Sequence, residues 1–178
     1  SEMVKCAITD SGSVSTWSPV TADGRFQLER IGTLFTHMLL KSQQIALRTR
    51  RGSATWAVCS PTVVALLERL SDYKSWDDAN PGVKVPNQAN VAKVGTIRGN
   101  IQIIRDSLAG GDYILLGYKG ATTYDTGLVF NPYIPIQMLR ATRQETFAPQ
   151  IGLRTRYGLH SNMFGSSRYY SFIRVSGL

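Results

Sequence analysis

Histidine and cysteine are scarce in this chain of 178 residues, with two of each. The histidines are His37 and His160, the cysteines Cys6 and Cys59. No pair of His, Cys or carboxylate residues shows the short spacing from which a metal site is built, so neither a metal nor another cofactor is expected. Nucleophilic catalysis needs a nucleophile, a base and an orienting group brought together. With so few histidines and no nucleophile-elbow sequence, the chain is not expected to be an enzyme, a small hydrolase included. Gly110-Gly111 is not followed by the Lys-Ser/Thr of a phosphate cradle and reads as a turn. Long apolar runs are missing too. None approaches the ~20 residues of a membrane span, and no secretory leader is visible, so no membrane partner is expected. Cys59 ends an apolar run and reads as a small buried residue. So few cysteines suit a reducing compartment.

Charge is also thin. Charged residues make up 18% of the chain, against roughly 25% in an ordinary soluble domain. Apolar residues make up 43%, enough for a sizeable core. Much of the surface must then be neutral or apolar, as in a protein that stays against neighbours. The charge is unevenly placed. The net charge is +8, and residues 126–178 hold six arginines and a single acid, Glu145. A basic excess suits a polyanion or an acidic protein partner without choosing between them.

The length suits one domain, or two small lobes sharing a core. Residues 1–22 are rich in Ser, Thr and Gly and read as turns and short strands, with Val4–Thr9 as a candidate strand. Phe26, Leu28, Ile31, Leu34, Phe35, Met38, Leu39, Ile45 and Ala46 then recur at spacings of three and four. That period predicts a helix from an N-cap at Asp23 to about Arg48. Arg48, Arg50 and Arg51 complement the dipole at its C-terminal end, and Gly52 is a natural stop. Thr55–Cys59 reads as a short strand. Ser60-Pro61 reads as N-cap and first residue of a compact helix carrying Val63, Val64, Leu66, Leu67 and Leu70. Residues 71–92 lack periodicity and read as a surface loop near a subunit contact. Strands are predicted over Ile97–Ile104, Tyr113–Tyr118, Leu128–Phe130, Ile134–Leu139, Ile151–Tyr157 and Tyr169–Val175. The order of helices early and strands late is α+β.

The remaining residues of chemical interest are charged. In the strand Ile151–Tyr157, Ile151, Leu153, Thr155 and Tyr157 fall on one face, and Gly152, Arg154 and Arg156 on the other. Arg140 and Arg143 lie just upstream. Such arginines can be a solvated face, a set of ion-pairing groups for acids of a neighbouring subunit, or contacts to DNA phosphates. Asp77 and Asp78 are two acids in the 71–92 loop, readable as a solvated face, a cation site or partners for a neighbour's arginines. With Arg50 and Arg51 these residues are the candidate subunit-interface set. No zinc-finger spacing or recognition helix is visible, so any DNA contact is expected to be non-specific.

Several segments, in this order and at these separations, resemble the C-terminal part of T-even-type tailed-phage major capsid proteins. They are Thr21-Ala22-Asp23-Gly24-Arg25-Phe26, Thr49-Arg50-Arg51-Gly52, Gly111-Asp112-Tyr113 leading to Gly117-Tyr118-Lys119-Gly120, Asn131-Pro132-Tyr133-Ile134-Pro135, and Gly152-Leu153-Arg154-Thr155-Arg156-Tyr157-Gly158. No piece is specific alone; the ordered set covers most of residues 20–178. The resemblance implies the Hong Kong ninety-seven-type capsid fold, with a peripheral domain carrying a long helix and an axial domain near the capsomer centre. The N-terminal arm and extended loop of such proteins lie upstream, so this chain is expected to be the C-terminal portion of a longer protein. Phe172-Ile173-Arg174-Val175 matches the aromatic-basic strand that ends the family pattern. The implied division is 1–51, a peripheral part with the long helix; 52–130, axial; and 131–178, strands returning to the peripheral and axial core. The implied function is structural: self-assembly into hexamers, and pentamers, of an icosahedral phage head around double-stranded DNA. The implied partners are copies of itself, vertex, decoration and scaffolding proteins of the phage, and packaged DNA bound without sequence specificity. The implied location is the virion capsid, assembled in host cytoplasm. The alternatives are the vertex (pentamer) paralogue and a basic nucleic-acid-binding module.

Overall fold

Apolar side chains on both faces of the same short strands call for cover on both sides, and that requirement organises the body of the molecule. The computed structural model describes residues 2–19, 24–75, 91–163 and 165–177. Helices are α1 (Glu2–Thr9), α2 (Gln27–Thr49) and α3 (Pro61–Leu67), with a 3-10 turn at Ser166–Arg168. Strands are β1 (Val14–Trp17), β2 (Trp56–Cys59), β3 (Tyr73–Ser75), β4 (Val91–Ile97), β5 (Ile101–Asp106), β6 (Tyr113–Gly117), β7 (Leu128–Thr142), β8 (Pro149–Ser161) and β9 (Tyr170–Val175). Among the described residues they form a mixed sheet of order β1-β9-β6-β2-β5-β4-β3 and a separate β7-β8 ribbon. The architecture is α+β, as the sequence predicts.

β6 is buried at every position, and its side chains divide between two clusters. Ile114 and Leu116 join Ala57, Cys59, Ile103, Ile173 and Val175 under α2 and α3. Tyr113 and Leu115 join Val58, Phe172 and Tyr170 on the opposite face, with Ala7 of α1. A fully buried Ile or Leu contributes about 1.5–3 kcal/mol, so these two layers outweigh the polar terms that follow.

α2 turns Ile31, Leu34, Phe35, Met38, Ser42 and Ile45 inward. Phe26 and Leu28, predicted on the same stripe, are exposed at its start. The expected N-cap, Asp23, lies outside the described residues; the helix begins after Phe26, whose extended backbone is the N-cap. The helix stops before Gly52. Arg50 itself adopts the left-handed conformation (φ 54°), and its N–H donates to the Ala46 carbonyl. Gly52 serves packing instead, since a Cβ there would lie 2.8 Å from the Tyr118 ring. A side chain in the left-handed region costs about 1 kcal/mol relative to glycine. Arg50→Gly is therefore expected to stabilise the isolated chain by about 0.5–1 kcal/mol in urea unfolding.

Other expectations are corrected. Val4–Thr9 is not a strand but most of α1. Val4, Ala7 and Ile8 stand three and four apart, which lets one helical stripe reach the sheet. Ile97–Ile104 is not one strand. Arg98 and Gly99 both take positive φ and reverse the chain between β4 and β5, the sign pattern of a primed hairpin turn. Leu128–Phe130 and Ile134–Leu139 are parts of one strand, β7. Most of the 71–92 loop, with Asp77 and Asp78, lies outside the described residues. Leu34, Phe35, Met38 and Ile45 of α2 share a cluster with β2, β5, β6 and β9, so packing continues across residue 52. The segment that leaves the body is the ribbon.

Candidate functional site

The ribbon starts in the core and ends outside it. Leu128 is buried beside Tyr170, while Phe130, Tyr133, Ile136, Met138 and Leu139 of β7 and Ile151, Leu153 and Tyr157 of β8 are all exposed. Ile151 and Leu153, on the apolar face read from the sequence, are 65% and 71% exposed. Fifteen residues of β7 oppose thirteen of β8. The surplus forms bulges at Pro132/Ile134 and Ile134/Gln137. These bulges let a strand containing Pro132 and Pro135 run unbroken.

The alternation read from the sequence is present on β8. Residues directly opposite share a face, so Gln137 stands with Arg154 and Ile134 with Arg156, while Met138 stands with Leu153 and Arg140 with Ile151. Arg154 Nη2 donates to Gln137 Oε1 at 3.1 Å. Phe130 and Tyr157 pack with ring centres 5.5 Å apart. Arg154 and Arg156 are thus neighbours on one face, Arg140 is on the other, and Arg143 closes the tip, where its N–H donates to the Ala148 carbonyl. Arg140, Arg143 and Arg156 have no ion-pair partner among the described residues.

Arg50 and Arg51 lie apart from this group, at the end of α2. Arg51 is committed within the chain. Its Nη1 is 2.7 Å from Asp125 Oδ1, whose side chain is only 10% exposed. Tyr169 donates to the same oxygen at 3.2 Å. Nothing in the sequence pairs Arg51 with an acid more than seventy residues away, and this pin was not read from it. It fastens the end of α2 to the loop from which the ribbon departs.

His37 Nε2 lies 3.1 Å from Ser15 Oγ. The pair lacks the chemistry of a nucleophile and base. The charge beside His37 is Lys41, and burial followed by that charge lowers the imidazole pKa. A triad's orienting acid would raise it. Lys41 Nζ donates to Ser13 Oγ and Trp17 Nε1 to Thr33 Oγ1, so these contacts form a polar seam tying α2 to β1. His160 is exposed on β8. Among the described residues no three His, Cys, Asp or Glu side chains are grouped to hold a metal, and no helix is long and apolar enough to cross a membrane.

Burial pushes the Cys59 thiol up to about 12. Burial, with Glu68 and Cys59 beside it, pushes Tyr73 up to about 12. Burial, then the hydrogen bond to Asp106, raises Tyr113 as well. In each case the unfolded chain loses its proton first as pH rises. The stability these groups contribute is complete below the unfolded values, about 8.5 for Cys and 10 for Tyr, and is lost above them. The urea midpoint is expected to be level from about pH 7 to 8, to fall from about pH 9 upward, and to fall again below about pH 6.5, where the unfolded chain protonates His37 before the folded one does. Iodoacetamide at about pH 8 should label half-buried Cys6 and spare Cys59.

The described residues form a packed body that bears an exposed, basic, partly apolar ribbon. Comparison with known proteins gives the family. The family model described as Major capsid protein Gp23 matches residues 1–175, and the chain belongs to that family. Similar proteins include the major capsid protein of Serratia phage KSP90, 34% identical over 82% of this chain and 34% of the relative. That of Salmonella phage ViI is 33% identical over 79% of this chain and 32% of the relative. That of Enterobacteria phage T4 is 31% identical over 70% and 24%. The chain therefore spans about a third or less of the length of these relatives. The family is one of structural capsid components of tailed phages, not of enzymes.

Proposed function

We propose that the full-length protein carrying this chain self-assembles into ring capsomers, hexamers with pentamers at vertices, that close into an icosahedral head around double-stranded DNA. Membership of the capsid family supports this, and the observation that carries it is the ribbon. A two-stranded hairpin is marginal in water by itself, and this one exposes several large apolar side chains that a neighbour would cover. Repeated contacts of one chain with copies of itself, closing into rings, are what a shell requires. The fold proposed is the Hong Kong ninety-seven type, with the sheet and its helices as the axial part and the ribbon as a peripheral element. Vertex, decoration and scaffolding proteins are proposed partners, with assembly in host cytoplasm and residence in the virion capsid. Contact with packaged DNA would be non-specific, through phosphates. Sedimentation and negative-stain imaging of the full-length protein test this reading. Rings or shells support it. A monomer with salt-sensitive DNA affinity would replace it with a basic nucleic-acid-binding module.

A further inference from the structure

We propose that the outer edge of β8 accepts a third β-strand from a partner, an extended segment whose side chains alternate acidic and apolar. The ribbon has two edges, and they differ. β7 contains Pro132 and Pro135, which lack N–H groups, and both bulges fall on it. Its edge is a poor template for pairing. β8 carries its only proline at the first position, Pro149, and has no extra residue anywhere along its register. Its outer N–H and C=O groups form a regular row, and among the described residues no strand pairs with them. An open edge of this length is the surface on which strand addition occurs.

The side chains define the occupant. A strand added beside β8 places each side chain on the face of the residue it opposes, so its chemistry must alternate with period two. Positions opposite Arg154 and Arg156 meet guanidinium groups, where a carboxylate can form paired hydrogen bonds. Positions opposite Ile151 and Leu153 meet exposed aliphatic groups, where an apolar side chain removes area from water. A nucleic acid would satisfy only the arginine face and leave both the apolar face and the backbone edge open. Among the described residues no strand alternates acidic and apolar side chains, so the segment comes from outside them. The proposal rests on the shell reading for the neighbour that supplies the segment, while the peptide test below needs no assembled shell.

The test uses the whole 178-residue chain and a peptide of alternating glutamate and valine, about ten residues long. Comparison probes are an alternating lysine–valine peptide, the glutamate–valine peptide N-methylated at every second amide, and a DNA duplex. The glutamate–valine peptide is expected to bind at least about tenfold more tightly than the lysine–valine peptide. It should also slow amide exchange within residues 150–158 by about tenfold or more, and N-methylation should abolish both effects. In the double variant Arg154→Glu/Arg156→Glu the preference should reverse to the lysine–valine peptide. Both positions are exposed, so unchanged circular dichroism will show that the variant is folded. Equal binding of both peptides, protection elsewhere than β8, or retained binding by the N-methylated peptide overturns the proposal. Binding of the duplex without binding of the peptide also overturns it and makes the ribbon a phosphate-binding surface.

Discussion

Replacing both Arg154 and Arg156 with alanine is expected to abolish shells of the full-length protein while leaving the 178-residue chain as stable as before. Both side chains are exposed on a ribbon outside the core, and neither forms an ion pair among the described residues. Surface substitutions of this kind change stability by within about 0.5 kcal/mol. In an assembled particle the same guanidinium groups would meet a neighbour's carboxylates in a partly desolvated interface. Truncating one partner of such a pair costs about 2–5 kcal/mol. A shell repeats each contact in every subunit, so even the lower value is enough to prevent closure. The conservative double variant with lysine separates charge from geometry. It keeps both charges but loses the planar fork, and is expected to give fewer or more heat-sensitive particles, between wild type and the alanine variant. Normal yields of heat-resistant alanine-variant shells would remove these arginines from the interface. Variant shells that form but hold little DNA would point to phosphate contacts instead.

Ile114→Ala is expected to destabilise the isolated chain by about 2–5 kcal/mol, measured by urea unfolding. Ile114 is fully buried in β6, opposite Cys59 on one side and Ile173 on the other. Its loss removes apolar burial and leaves a cavity that flanking strands cannot close without breaking register. A domain of ordinary stability holds only about 5–15 kcal/mol in reserve, so the substitution removes a large share of it and the urea midpoint falls clearly. Leu153→Ala removes a side chain of the same size from the exposed ribbon and is expected to change stability by under about 0.5 kcal/mol. The contrast separates the packed body from the exposed ribbon proposed to meet a neighbour. Equal losses at the two positions would mean that the ribbon is buried within the chain.

The body was legible where local chemistry and tertiary packing agree. The three-and-four spacing of Leu34, Phe35, Met38 and Ile45, the Ser60-Pro61 start of α3, and the apolar runs of β6 and β9 all read directly from residue order. Val4–Thr9 misled because six residues with apolar positions four, seven and eight suit either a strand or two turns of helix. The β4–β5 hairpin was missed because Arg98, not a glycine or asparagine, takes the first left-handed position. The alternation of β8 was read correctly, but its surroundings were not. Ile151, Leu153 and Tyr157 form the same pattern on a buried strand as on one that projects from the body, and only long-range packing distinguishes the two. The candidate arginines divided for a similar reason. Arg154 and Arg156 share a face by strand period alone, whereas the bulges in β7 fix Arg140 on the opposite face. The Arg51–Asp125 pin joins distant segments and has no local signature.

Amide hydrogen exchange, read segment by segment in the isolated chain and in assembled particles of the full-length protein, tests the central claim most directly. β6 and β9 should exchange slowly in both states, because their protection comes from within the chain. Residues 130–157 should exchange rapidly in the isolated chain and at least about a hundredfold more slowly in the particle, where neighbours complete the ribbon. The same exchange rates for residues 130–157 in both states would mean that no neighbour covers the ribbon in the particle.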